Sequence, residues 1–246
     1  MTVFDDLNAE QDRLEAILAG LDEARWTAPS AAVGWTVADV VLHLAQSEEA
    51  VRATMTGGDL RTGLVAAAAG NTMDERAEAA VRAERAAPAS VFDRWRRARR
   101  AALAALTAGN PEQPVAWVTG PVKPATLATT RLAEHWAHGL DITGPLGVDF
   151  PDTDRLRHIA WLAHRTLPYA LALAGEPPAA VRCELTDPAG SDTWRYGPPD
   201  AESGITGPAG EFCRVAARRV APADTRLTAT GPHGALALRV LRTYAA

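Results

Sequence analysis

The sequence predicts a mainly helical α+β protein, in which an N-terminal four-helix bundle is followed by a small α/β domain. Apolar residues recur about every 3.6 residues through roughly the first 145 residues, as they do in amphipathic helices. From about residue 149 onward, short apolar runs alternate with helical patterns and turn residues. A Gly/Pro-rich stretch at residues 143–151 separates the two patterns. We therefore predict two domains, residues 1–148 and residues 149–246.

Four amphipathic segments make up the predicted bundle. In chain order they cover residues 3–21, 36–56, 90–108 and 126–141. The second and third segments are joined by a longer connection at 57–88. The second helix has the clearest start, because Thr36 is followed three residues later by Asp39, a spacing typical of a capping box. Helices of this length with one longer connection favour a four-helix bundle.

The second domain is predicted from a different alternation of elements. In order, the patterns indicate a helix at 153–175 that kinks at Pro168, strands at 181–185 and 193–196, a helix at 208–219, a strand at 225–230 and a closing helix at 234–244. Short strands mixed with helices are typical of a small α/β domain.

Composition argues against several classes of protein. With a formal net charge of −5 and a pI near 5.7, the chain lacks the basic surface that a nucleic-acid partner requires. The one basic run, residues 94–100, is interpreted as a solvated helix face. The chain shows neither a signal peptide nor an apolar stretch of about 18 residues, so we predict no membrane partner.

The cysteines and lysines indicate the setting of the protein. Cys183 and Cys213 have neither metal-ligand nor redox spacing, so we predict a cytoplasmic protein with both thiols reduced. Lys123 is the only lysine among 25 basic residues. Since lysine codons are AT-rich, this bias indicates a high-GC genome such as that of an actinobacterium.

Two distant segments together predict a metal site. Glu134 and His138 are four residues apart and share one face of the fourth helix, and His43 lies on the inner stripe of the second. Two imidazoles and one carboxylate are a ligand set of catalytic zinc sites that leaves the fourth position open. Two other interpretations stay open: His43 as a hydrogen-bonded core residue, and Glu134 with His138 as a surface pair. His135 could replace Glu134 as a ligand, and Asp141 could orient a ligand imidazole.

The same segments carry a resemblance to a known family. GWTVADVVLHL at 34–44 and RLAEHWAHGLDI at 131–142, together with RTLPYA, EFCRVAARR and LTATGP in the second domain, resemble the DinB-like mycothiol-dependent maleylpyruvate isomerase family. The resemblance implies a metal-binding four-helix bundle followed by a domain similar to a sterol carrier protein. It also implies that His43, Glu134 and His138 hold one divalent ion, usually zinc.

The resemblance further implies a function. We expect an enzyme that activates a low-molecular-weight thiol, mycothiol, for isomerisation of an electrophilic small molecule or for transfer to it. A carboxylate-bearing substrate would need a cation, and the resemblance implies Arg219 as a catalytic residue, with the adjacent Arg218 as the other candidate. The active site is expected in the cleft between the domains of a monomer or homodimer.

Two alternatives follow from the same residues. A thiol-independent enzyme would use the ion as a Lewis acid for isomerisation, cyclisation, elimination or hydrolysis in specialised metabolism. A non-catalytic binding protein would hold the ion in a closed shell, with His135 or Asp141 as the fourth ligand. An open three-ligand shell favours either enzyme, and a closed shell favours the binding protein.

Overall fold

The structure, a computed structural model, describes residues 2–58, 72–118 and 120–243. It confirms the predicted fold class, since helices dominate and one four-stranded sheet accompanies them. The chain divides between Phe150 and Pro151 into two compact units. Among the described helices, none is long and apolar enough to span a bilayer.

In the described part of the first unit, the regular elements are helices. They are α1 (Val3–Ala19), α2 (Glu23–Thr27), α3 (Val37–Met55), α4 (Met73–Ala83), α5 (Pro88–Ala108) and α6 (Pro124–Leu146). The long helices α1, α3, α5 and α6 form the bundle, with α3 packed mainly on α5 and α6 mainly on α1. Leucine, valine and tryptophan side chains from these helices, with Trp95 fully buried, fill the core between them.

Two short helices were not predicted. α2 follows the first long helix directly, and α4 lies within the predicted connection at 57–88, of which residues 59–71 fall outside the described part of the chain. Gln46 of α3 donates to the carbonyl of Ala80 at 3.1 Å and to the carboxylate of Glu84 at 2.9 Å, which anchors α4 against the bundle.

The end of α6 differs from the prediction. The sequence predicts an end at Asp141, but the helix continues through Pro145 and ends at Leu146, where Gly147 adopts a left-handed conformation with φ of 63°. Pro145 has no N–H to donate to the carbonyl of Asp141, four residues earlier. That carbonyl instead accepts a hydrogen bond from the backbone N–H of Ala31 at 2.9 Å. The proline is tolerated because a loop takes the place of the missing helical bond.

The start of α3 is fixed by the predicted capping box, which the structure confirms. The hydroxyl of Thr36 accepts from the backbone N–H of Asp39 at 3.2 Å, and the Asp39 carboxylate accepts from the backbone N–H of Thr36 at 2.9 Å. Arg85 also donates twice to that carboxylate, at 2.8 and 2.9 Å. The helix that carries His43 therefore begins at a well-defined residue.

Thr36→Ala is expected to destabilise the protein by about 1 kcal/mol, because one helical N–H loses its capping oxygen. Denaturant unfolding measures the loss, and metal analysis of the same sample should show an unchanged zinc content. Thr2→Ala is the matched control, since Thr2 caps α1 with the same box and α1 carries none of the predicted ligands. Loss of zinc without loss of stability would place Thr36 in the metal site instead.

The basic run at residues 94–100 is less exposed to solvent than the sequence predicts. Arg94 pairs with Glu49 at 2.7 Å, and Arg96 pairs with Glu15 at 2.8 Å. Arg99 is buried and pairs with both Glu15 and Asp12. The sequence predicts a solvated face, but part of this run joins α5 to α1 and α3 through ion pairs.

The second unit combines helices with one sheet. Its elements are α7 (Leu156–Arg165), α8 (Leu167–Leu173), β1 (Val181–Thr186), β2 (Thr193–Tyr196), β3 (Ser203–Pro208), α9 (Ala209–Ala216), β4 (Thr228–Thr230) and α10 (Gly231–Val240). The strand order is β2-β1-β3-β4, with β1 parallel to β3 and the outer pairs antiparallel.

Several predicted bounds in this unit were wrong. The helix predicted at 153–175 is broken at Thr166, directly before α8, whose first turn contains Pro168. The helix predicted at 208–219 stops at Ala216, and the strand predicted at 225–230 begins only at Thr228. The predicted closing helix ends at Val240 rather than 244, a residue outside the described part.

The two cysteines are buried in this unit. Cys183 lies in β1 and Cys213 in α9, and neither forms a disulfide. Burial raises the pKa of Cys183 to about 12, and burial also raises the pKa of Cys213. Neither thiol is therefore suited to act as a nucleophile at neutral pH.

Candidate metal centre

The structure brings the three predicted ligands together between α3 and α6. A carboxylate oxygen of Glu134 lies 3.8 Å from Nε2 of His43 and 3.5 Å from Nε2 of His138. The two imidazole rings are 5.1 Å apart and nearly perpendicular. All three side chains are only partly exposed, so a small molecule could still reach them.

This arrangement fits a zinc ion. Ligand atoms that share a tetrahedral zinc at about 2.0–2.1 Å are about 3.3 Å apart, and the donor atoms here lie within 4.8 Å of one another. Among the described residues this group has three members, His43, Glu134 and His138. Two imidazoles and one carboxylate would leave a fourth tetrahedral position for water, a thiol or a substrate.

Asp141 orients one of the two imidazoles. Its carboxylate accepts a hydrogen bond from Nδ1 of His138 at 2.9 Å, so the proton of the neutral ring lies on Nδ1 and the lone pair on Nε2. Nε2 is the nitrogen that faces Glu134. A carboxylate behind a ligand histidine is the usual way in which the ring orientation and tautomer of such a ligand are fixed.

The local environment also sets the protonation states. Burial lowers the pKa of His43, and the charge of His138 acts in the same direction. Burial alone would raise the pKa of Glu134, but its interactions with the neighbouring His138 and His43 side chains hold it well below the usual range. Burial opposes protonation of His138 as well, yet its bonds to Asp141 and Glu134 raise its pKa. Glu134 is thus ionised and His43 neutral near pH 7, the forms in which they can ligate.

The indole of Trp35 forms one wall of the centre. Its ring centroid lies 5.2 Å from that of His43 and 6.5 Å from that of His138, to which it is stacked at 23°. The loop that carries Trp35 is held by internal hydrogen bonds, because the backbone oxygen of Trp35 accepts from the N–H and the hydroxyl of Ser30 at 2.9 and 2.8 Å. The bond from Ala31 to the carbonyl of Asp141 ties the same loop to α6.

His135 does not belong to this group. Its side chain is fully buried, and its Nε2 accepts a hydrogen bond from the indole N–H of Trp95 at 3.2 Å. Its Nδ1 donates to the backbone carbonyl of Arg131 at 2.9 Å. Burial and the neighbouring Arg131 charge lower the pKa of His135 to about 3. Both ring nitrogens are engaged, so the alternative with His135 as a ligand finds no support in the geometry.

A buried ion pair next to the centre was not predicted from the sequence. Nε of Arg131 donates to a carboxylate oxygen of Glu48 at 2.9 Å, with 4% and 0% of the two side chains exposed. Burial raises the pKa of Glu48, and the charge of Arg131 counteracts this effect. Glu48 is a charged residue among the mostly apolar inner residues of α3, five residues after His43, and this position could have indicated a buried partner.

The predicted cation, Arg219, lies in the second unit. Because α9 ends at Ala216, Arg219 does not share its apolar face, and its guanidinium donates to the carbonyl of Ala217 at 2.6 Å. Arg218 adopts φ of 60° and donates to the carbonyls of Arg239 and Val240 at the end of α10. Arg218 therefore caps a helix, and a catalytic role for Arg219 stays a prediction.

Comparison with known proteins places the chain in a family. Residues 7–143 match the family model described as the mycothiol maleylpyruvate isomerase N-terminal domain. Two uncharacterized proteins, one from each of two strains of Mycobacterium tuberculosis, are each 36% identical to this chain over 242 residues. The match covers 98% of this chain and 94% of each relative.

Solved structures share the fold. Crystal structures of the mycothiol-dependent maleylpyruvate isomerase and of a mutant of it superpose with TM-scores of 0.63 and 0.62. They are 17% and 16% identical in sequence, and each match covers 94% of this chain and 95% of the other. The helical unit that holds His43, Glu134 and His138 lies largely within the segment that the family model matches. The chain belongs to the mycothiol maleylpyruvate isomerase N-terminal domain family.

Proposed function

We propose that this protein is a divalent-metal-dependent enzyme that activates mycothiol and uses it on an electrophilic small molecule. The observation that carries the proposal is the group of His43, Glu134 and His138, three ligands that fit zinc and leave one position open. Family membership supports mycothiol as the thiol, because the family model and the related solved structures are described by that thiol.

The side chains of the centre have separate tasks in this proposal. His43, Glu134 and His138 would hold the ion, Asp141 would keep the His138 ring in place, and Trp35 would exclude water from one side. A bound zinc ion lowers the pKa of a thiol in its open position, so that thiolate is present at neutral pH.

The thiolate then explains isomerisation. It adds to one carbon of a cis double bond and forms a C–S bond, while the π electron pair moves onto the electron-withdrawing group at the other carbon, so that a single bond joins the two carbons. After rotation about that bond, the electron pair returns to form the trans double bond, the C–S bond breaks and the thiolate leaves unchanged. If the adduct instead gains a proton and is released, the same site acts as a thiol transferase.

The geometry ranks the alternatives. A non-catalytic binding protein with a closed shell would need a fourth ligand, but His135 is engaged with Trp95, and the Asp141 carboxylate binds His138 on the side away from Glu134. A thiol-independent Lewis-acid enzyme uses the same open position and is the second candidate. Arg219 remains our candidate for binding a substrate carboxylate under either mechanism.

Cobalt substitution tests the role of the thiol. Addition of mycothiol to the cobalt-loaded protein should produce a thiolate-to-cobalt absorption band, since the sulfur would bind the ion directly. Arg219→Ala should leave this band unchanged. It should weaken the binding of an anionic substrate by about 1.5–3 kcal/mol, which lowers catalytic efficiency by roughly one to two decades. If mycothiol does not perturb the cobalt spectrum and activity persists without thiols, the Lewis-acid mechanism replaces this one.

A further inference from the structure

A buried polar network lies next to the metal ligands and includes side chains from each of the four long helices. Its members are Gln11 of α1, Glu48 of α3, Trp95 of α5, and Arg131 and His135 of α6. All five are buried. Polar groups that meet at the centre of a bundle can form their hydrogen bonds in only one alignment of the helices, which gives such a network a role in setting register.

Within this network, one ion pair joins the two helices that carry the ligands. Nε of Arg131 on α6 and the carboxylate of Glu48 on α3 are 2.9 Å apart. Arg131 precedes Glu134 by three residues, so the two side chains share a face of α6 and are about 4.5 Å apart along its axis. The ion pair is therefore about one turn of α6 away from the metal ligands.

The packing of the bundle makes this contact important. α3 packs mainly on α5, and α6 packs mainly on α1, so the ligand-bearing helices belong to different packing pairs. The direct contact between α3 and α6 is much smaller than that between α3 and α5. The alignment of His43 with Glu134 and His138 consequently depends on a small number of contacts across this seam.

The remaining members of the network connect α6 to α1 and α5. His135 accepts from Trp95 on α5 and lies 3.5 Å from the amide nitrogen of Gln11 on α1. The same ring donates to the backbone carbonyl of Arg131, which fixes the turn from which the Arg131 side chain extends. The position of Arg131 is thus set by α1 and α5, and Glu48 transmits that position to α3.

We propose that Glu48 and Arg131 are positioning residues for the metal centre, whose ion pair sets the register of α3 against α6 so that His43 meets Glu134 and His138. This inference rests on the proposed metal site. Metal sites tolerate deviations of only about 0.2 Å in ligand distance. A small slide of α3 along α6 would therefore weaken the binding of the ion even where the bundle remains folded.

The double variant Glu48→Leu/Arg131→Met separates position from stability. Replacing a buried ion pair by apolar side chains of similar volume is often neutral or stabilising for a fold. We expect the metal-free variant to unfold at a denaturant concentration close to that of the wild type, measured in the presence of a chelator. Its zinc affinity, measured by chelator competition, should fall about tenfold or more. Its cobalt spectrum should also change, because the coordination geometry changes.

A second ion pair in the same bundle provides the control. Arg99 of α5 is buried and pairs with Glu15 of α1, and neither helix carries a metal ligand. Glu15→Leu/Arg99→Met changes the same kinds of side chain across a different seam. Its zinc affinity should stay within about twofold of the wild-type value, whatever happens to its stability.

Single variants keep the test decisive if the double variant does not fold. Glu48→Gln retains an oxygen that can accept from Nε of Arg131 and should keep zinc affinity within about threefold, whereas Glu48→Ala should lose about tenfold. The proposal is overturned if the folded double variant binds zinc as the wild type does, or if Glu48→Gln and Glu48→Ala have the same zinc affinity. Absence of zinc binding by the wild type would instead overturn the metal site, and this inference with it.

Discussion

Replacing His138 by alanine is expected to remove zinc from the protein and to lower its stability in the presence of zinc. The variant loses one of three protein ligands. Structural zinc sites bind with roughly 10–16 kcal/mol of free energy, or about 3 kcal/mol per ligand, so the affinity for zinc should fall about a hundredfold or more. An ion present at about a hundred times its dissociation constant stabilises the folded state by about 2.7 kcal/mol. Metal analysis and denaturant unfolding with and without zinc measure the two effects.

His43→Ala should give the same result from the other helix. His233→Ala is the control, because His233 lies in α10 of the second unit, outside the ligand group. It should retain zinc and the stabilisation that zinc confers. The metal assignment would be wrong if both His43→Ala and His138→Ala kept the zinc content of the wild type.

The second large effect is expected from Asp141→Asn, which should bind zinc about 10- to 100-fold more weakly at neutral pH. The carboxylate that accepts from Nδ1 of His138 at 2.9 Å is replaced by a neutral amide, so the ring is held less firmly and becomes less basic. Calorimetric titration of the metal-free protein with zinc, corrected for buffer ionisation, measures the change.

The same variant should alter the pH dependence of zinc binding. Bonds to Asp141 and Glu134 raise the pKa of His138 above the usual 6.5, so protons begin to compete with zinc above that pH, and affinity falls as the pH is lowered. Without the Asp141 charge, this competition should begin at a lower pH. Asp187→Asn, which removes a carboxylate from a turn in the second unit, should leave the profile unchanged. Identical pH profiles for Asp141→Asn and the wild type would contradict the role of Asp141.

Much of the helical unit was predictable from sequence because its information is local. The 3.6-residue period predicted the four long helices, and the Thr36–Asp39 spacing predicted the start of α3. The i, i+4 spacing of Glu134 and His138 predicted that both would meet one partner. His43 was predicted as that partner because it lies on the inner stripe of the second helix, and the family resemblance implied the same three ligands.

What the sequence did not predict depends on contacts between distant residues. β3 contains a single large apolar residue, Ile205, among glycines, serine, threonine and proline, and only its pairing with β1 and β4 makes it a strand. The end of α6 was missed because the loop N–H that replaces a helical bond comes from Ala31, more than a hundred residues earlier. The partner of Arg131 was missed for the same reason, since Glu48 is distant in sequence and lies on another helix.

The fixed conformation of the loop that carries Trp35 affects both the rate of ligand binding and its entropic cost. Its ends are bridged between Pro29 and Thr36, and the carbonyl freed by Pro145 holds its middle. A wall that is already fixed loses little motion when a thiol or substrate arrives, whereas a mobile side chain loses about 0.5–1.5 kcal/mol of free energy on being ordered. Binding should then proceed in a single step without slow loop closure. The helix defect at Pro145 thus helps to hold this wall of the site in place.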